Sequence, residues 1–128
     1  MMTDNNNYER GLAMLNQLHG GHVGEQMVAE LAPLSPEMVD MIIRWAHGEV
    51  ACRTGIDLKT RELVTIAACI ARGDLTPQLR AHYEAALKIG VTKAEIIEVI
   101  LQMIFYAGMA AATNALRLLG ECNADDHN

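Results

Sequence analysis

Apolar residues along this chain recur at spacings of three and four and nowhere alternate, which predicts helices and no strands. Over residues 8–18 they fall at Leu12, Leu15 and Leu18, a short amphipathic helix that His19-Gly20-Gly21-His22 then breaks. Residues 23–31 read as a weaker helix ending near Pro33. Ser35-Pro36 is a start signal, with Ser as N-cap and Pro in the first helical position. The helix it opens carries Met38, Met41, Ile42 and Trp45 on one face and stops around residues 48–50. Asp57 is placed to cap a helix over residues 58–72, which Gly73 ends. Thr76-Pro77 repeats the cap-plus-Pro signal for a helix to Ile89, closed by Gly90. Thr92 and Glu95 form a capping box, so another helix starts at Lys93. Gly108 is expected to kink or split that helix, leaving a last apolar one over residues 109–119.

From Ile96 to Phe105 apolar residues point in nearly every direction around the helix axis. Such a helix is buried on all sides. One small subunit has difficulty covering two successive helices of this kind, so contacts between subunits are the expected cover. A central core helix wrapped by its own chain is the other reading.

Composition sharpens the fold class. The chain has 128 residues, 51% of them hydrophobic but only 4% aromatic, which suits helix packing better than a sheet. The length allows one domain, placed over residues 8–122, with residues 1–7 as a disordered tail and 123–128 as a polar one. The net charge of −6 argues against nucleic acid as a partner. No apolar run approaches the ~20 residues of a membrane span, and the polar first ten residues lack the apolar region of a signal peptide. Cys52, Cys69 and Cys122 are widely separated and odd in number, which is no disulfide framework. A reduced, cytoplasmic protein without membrane association is the economical reading.

Among polar residues, His82 is the most informative. Its helical neighbours at three and four positions are Gln78, Leu79, Ala85 and Ala86, a small and mainly apolar stripe. The imidazole is either a functional group beside space that two alanines leave open, or a core histidine bonded to a backbone carbonyl. Glu62, flanked by Leu58, Thr65, Ile66 and Cys69, is either a proton-transfer carboxylate or a surface partner of Lys59 or Arg61. Arg53, in a turn expected over residues 48–55, has the geometry to clamp a substrate carboxylate through two parallel bonds, or is a solvated loop arginine. His19, His22 and His47 have no Asp or Glu at ligand spacing on a shared helix, so no metal site is expected. Nothing near Cys69 in sequence would lower its pKa, and it reads as a small core residue.

Taken together, several stretches resemble the carboxymuconolactone decarboxylase family. They are Thr60-Arg61-Glu62-Leu63-Val64, Gln78-Leu79-Arg80-Ala81-His82, the run from Gly90 to Glu98, Tyr106-Ala107-Gly108 and Asn114-Ala115-Leu116-Arg117. Tyr8-Glu9-Arg10-Gly11, His22-Val23 and Gly48-Glu49-Val50 look like the decarboxylase branch itself. The resemblance spans about residues 8–120. It implies a compact all-α domain of six to seven helices, of the alkylhydroperoxidase D-like type, assembling as a homo-oligomeric ring of six copies. It implies loss of CO2 from 4-carboxymuconolactone to give the 3-oxoadipate enol-lactone in protocatechuate breakdown, with no cofactor. In this reading His82 is the general acid and Glu62 its orienter or proton partner. Glu49, Arg53 and His22 are candidates for binding the carboxylates of a small lactone substrate.

The related peroxidase branch uses a CxxC pair whose second cysteine lies four residues before the histidine. Here those positions are Leu75 and Gln78, so dithiol peroxidase chemistry through this motif is not available. A non-catalytic oligomeric binding protein is a third reading. The chain also departs from the decarboxylase pattern at Ala51, Thr54, Lys88-Ile89, Met109 and Ala110, departures that bear on which acid the pocket accepts.

Overall fold

The computed structural model describes residues 4–122. Among the described residues every regular element is helical. In chain order these are α1 (Asp4–His19), α2 (Val23–Leu31), α3 (Pro36–Met41) running into a π-helical segment (Ile42–Val50), α4 (Leu58–Arg72), α5 (Thr76–Lys88), α6 (Lys93–Ala107) and α7 (Met109–Glu121). The expected domain span is divided into two compact units, the first ending at Leu58 and the second beginning at Lys59. The expected N-terminal tail is shorter than residues 1–7. Helix α1 already begins at Asp4, and Asn7 is buried and accepts a hydrogen bond from Arg10. Residues 1–3 and 123–128, the rest of the expected tails, lie outside the described residues. No helix among the described residues is long and apolar enough to cross a membrane.

In the first unit, α1 lies against the π-helical segment at very short range. A Cβ added to Gly11 would sit 1.8 Å from the Ile43 carbonyl oxygen, and one added to Gly48 would sit 2.2 Å from that of Asn7. Arg10 donates from Nε to the Gly48 carbonyl at 2.8 Å, closing the same contact. The π geometry explains which face is buried. Val39, Ile43 and Gly48 are spaced by four and then five residues, and the wider π turn keeps all three on the buried side. The apolar face formed by Met38, Met41 and Trp45 is exposed. Val39 and Ile43 instead join Leu15 in a small core, over which Met27, Val28 and Leu31 pack. Ser35 caps α3 as expected, accepting from the Met38 N–H at 3.1 Å.

The second unit holds the larger core, built on Ile66, Ile70, Leu79, Tyr83, Ile96 and Ile100 with α7 residues packed across them. Tyr83 is fully buried and donates its hydroxyl to the Ala115 carbonyl at 2.9 Å, tying α5 to α7. Burial pushes its phenol pKa well up, so the hydroxyl stays a donor. The Thr76-Pro77 signal opens α5, but not with Thr76 as the cap. Leu75 holds that position and makes no side-chain cap bond. Its half-buried side chain packs against the core, and Pro77 supplies a suitable φ in the first turn. The capping box at Thr92 and Glu95 forms as read, and Gly108, at φ +97°, separates α6 from α7.

Helix α6 is only partly covered within the chain. Ile96 and Ile100 are buried, and Ile97, Val99, Met103 and Ile104 pack at the core's edge. Phe105 remains 84% exposed, and Leu101, Tyr106, Met109 and Leu116 are also exposed.

Two outcomes follow from this packing. Gly11→Ala should destabilise the protein by about 3 kcal/mol, because a backbone oxygen cannot yield to the methyl group. Gly120→Ala, in open space on α7, should instead be neutral or stabilise by roughly 0.5 kcal/mol. Urea unfolding of both variants checks the contrast. The second concerns acid. The Thr92 backbone N–H, then its hydroxyl, hold the Glu95 carboxyl below its ordinary value of 4.5. A carboxylate with a lowered folded-state pKa adds stability above the ordinary value and loses it as pH falls through the lowered one. Protection of the amides at the start of α6, relative to their intrinsic exchange rates, should therefore fall as pH drops below about 4.5, and Glu95→Gln should remove that loss of protection.

Candidate functional site

Glu62 and His82 meet. His82 Nδ1 lies 2.7 Å from Glu62 Oε2, across twenty positions of sequence that include the α4–α5 turn. Glu62 is 4% exposed, on the face of α4 that also buries Ile66, Cys69 and Ile70. A carboxylate there has lost its water and needs a donor. The imidazole supplies it, with the Nδ1 proton pointing at the carboxylate and Nε2 directed away from it. The His82 side chain keeps 24% of its surface exposed, so one side of the pair is buried and the other reaches solvent.

This geometry gives each residue a partner. His82 is bonded to a carboxylate rather than to a backbone carbonyl through Nδ1. Glu62 is not a surface partner of its helix neighbours. Lys59 lies beside Gly90 and acts electrostatically on Glu95, while Arg61 Nε is buried without a hydrogen-bond partner. Cys69 is one of the core residues, its thiol pKa raised by burial and then by the Glu62 charge.

The remaining candidates lie in the first unit. Glu49 and Arg53 are one helical turn apart and 3.7 Å from each other, a loose ion pair in which Arg53 stays largely exposed. The expected turn over residues 48–55 is shorter, since the π-helical segment runs to Val50. Arg53 lines a pocket of about 400 Å³ with Met14, Cys52, Thr54 and Ile56. His22 is exposed at the start of α2, and its side chain makes no cap bond there. His19 and His47 stack edge to face with ring centroids 6.0 Å apart. His47 Nδ1 donates to the Ile42 carbonyl at 2.9 Å.

A second cleft, of about 440 Å³, opens in the second unit beside α4, α5 and α7. Thr76, Asn114, Arg117 and Glu121 line it. Reading helix by helix did not single these out as a group, because only folding brings α7 beside the start of α5. The available signal was the pair Asn114 and Arg117, three residues apart and so on one helix face.

The comparisons with known proteins fit this arrangement. The family model described as the carboxymuconolactone decarboxylase family matches residues 36–121, which include Glu62 and His82. A 4-carboxymuconolactone decarboxylase of Acinetobacter baylyi is 35% identical over 97% of this chain and 92% of its own length. An uncharacterised 15.0 kDa protein of Paracoccus denitrificans is 38% identical over 82% of this chain and 77% of its own. A nitrosuccinic acid decarboxylase of Metarhizium robertsii is 28% identical, over 85% of this chain and 76% of its own. With its helical architecture and a match across most of its length, this chain belongs to the carboxymuconolactone decarboxylase family.

Proposed function

We propose that this protein is a carboxy-lyase that removes CO2 from a small carboxylated lactone without a cofactor, as in the conversion of 4-carboxymuconolactone to the 3-oxoadipate enol-lactone. The observation that carries the reading is the Glu62–His82 hydrogen bond, in which the carboxylate is buried and the imidazole keeps 24% of its side-chain surface exposed. The names of two relatives specify loss of CO2 from acids as different as a carboxylated lactone and a nitrosuccinate. Removal of CO2 from a small acid is what those names have in common.

The chemistry asks little else of the chain. When the carbon–carboxylate bond breaks, its electron pair moves into the unsaturated lactone and charge develops on the lactone oxygen. A proton must then return to carbon. With Nδ1 held by Glu62, His82 presents Nε2 as the atom that delivers it, and Glu62 fixes the ring's tautomer and direction. Within the first unit, Arg53, Glu49 and His22 are candidates for holding a carboxylate, and the pairing of Arg53 with Glu49 is loose. A thiol route has less support: Leu75 and Gln78 occupy the redox positions, and Cys69 is buried with a raised pKa.

The same reading includes a cytoplasmic homohexamer. The row of exposed apolar side chains on α6 and α7, with Phe105, Tyr106 and Met109 all well over half exposed, supports self-association. Light scattering at micromolar protein should give a mass near six times the 14.0 kDa chain. A monodisperse particle of a single chain's mass would overturn this part.

The catalytic assignment is tested at His82. Gln keeps a hydrogen-bond donor and most of the volume but delivers no proton at neutral pH. His82→Gln should melt close to the unmodified protein while decarboxylating 4-carboxymuconolactone about 10²–10⁴-fold more slowly. His82→Ala should lose the same rate and also roughly 1–3 kcal/mol, since Glu62 is left buried without its donor. Near-native turnover by the Gln variant would make the histidine structural and move the proton source elsewhere.

A further inference from the structure

The cleft in the second unit is built differently from the Glu62–His82 pair, and neither of those residues lines it. Its inner wall is apolar, formed by Ile70, Leu79, Ala115 and Leu118, all buried in the core. Cys69 is also part of that wall, and its raised pKa keeps it uncharged. The volume of about 440 Å³ suits a small organic molecule.

Polar groups line the rest of the cleft. Glu121 is the carboxylate in the lining that would repel an anion, and Arg80, on which Glu84 also acts, donates to it at 2.7 Å. Arg117 has no such partner. Among the described residues its guanidinium donates only to the neutral side-chain oxygen of Asn114, at 3.2 Å. Among the described residues no carboxylate pairs with the Arg117 guanidinium, which lines the cleft together with Thr76 and the apolar wall. A planar guanidinium with spare donors matches a carboxylate in two parallel bonds.

We propose that this cleft beside α4, α5 and α7 binds a small carboxylate with an apolar body, its carboxylate on Arg117 and its body against Ile70, Leu79 and Leu118. The site stands whether or not the decarboxylase reading holds, because no atom of the Glu62–His82 pair takes part in it.

Calorimetry on the full chain tests it with hexanoate, its neutral counterpart hexanamide, and inorganic phosphate as probes. Hexanoate should bind about tenfold more tightly than hexanamide, and Arg117→Gln should abolish that preference. Arg117→Lys, which keeps charge without the fork, should fall between. Ala111→Leu, which fills part of the cleft, should weaken both organic probes at least tenfold with its melting transition retained. His82→Gln should leave hexanoate affinity within about twofold, so loss of turnover and loss of this site are read separately. Equal affinity for hexanoate and hexanamide, binding unaffected by Arg117→Gln, no binding of hexanoate, or phosphate binding as tightly as hexanoate would each overturn the proposal.

Discussion

The second unit is organised around a carboxylate that has been taken out of water. Glu62 is buried among aliphatic residues on α4, where an unpaired charge would cost several kcal/mol. The donor that satisfies it stands twenty residues on, so the chain must fold back tightly between them. Gly73, at φ +79°, provides the turn, and the half-buried Leu75 packs against the core just before α5. Tyr83, next to His82, is locked to the Ala115 carbonyl on α7. With Leu79, Tyr83 and Ala86 facing the core, His82 falls about 100° round the helix from Tyr83, at the edge of the buried face. That position lets one ring nitrogen hold Glu62 while the ring remains partly open to solvent.

The first unit solves a different problem, the approach of two backbones with almost no side chain between them. Gly11 and Gly48 allow α1 and the π-helical segment to touch through carbonyl oxygens, and Arg10 spans the contact. The π segment is the compensation. An α-helical continuation of α3 would rotate residue 48 away from the face that carries Val39 and Ile43, whereas the wider turn keeps Gly48 opposite Asn7. The gain is a compact pair of helices with few large core residues. The consequence is that Met38, Met41 and Trp45 face outward.

Local signals in the sequence were reliable where local chemistry decides the outcome. Ser35 and the Thr92–Glu95 box cap their helices, and Gly108 divides α6 from α7. They misled where packing decides. Thr76 looks like a cap from its neighbours alone, but Leu75 holds that position and packs against the core. The apolar stripe of Met38, Met41 and Trp45 reads as a core face at α-helical spacing, and a one-residue change of period at Ile42 buries the other side. For the candidate site, the apolar helical neighbours of Glu62 and His82 left a functional and a structural role open for each, and the family resemblance singled the two out. Their bond was not, because it depends on how far α5 is drawn back along α4. The 440 Å³ cleft was less legible still, since its residues come from three helices that sequence spacing does not relate.

Leu75 also bears on the chemistry. In the resemblance to the peroxidase branch, positions 75 and 78 are those of the redox cysteines. Here Leu75 packs against the core and Gln78 is exposed, so exchange for cysteine would bear on packing at position 75 and not at position 78. A thiol at 75 would replace a branched aliphatic group and forfeit part of that packing. What this chain keeps is the carboxylate and the imidazole, which handle protons, without the sulfur pair, which handles electrons. Loss of CO2 into an unsaturated lactone moves an electron pair within the substrate and needs a proton returned to carbon. It requires no electron acceptor from the protein. A carboxylate and an imidazole do not supply dithiol peroxidase chemistry, and at one of the redox positions of that branch this chain places Leu75, packed against the core.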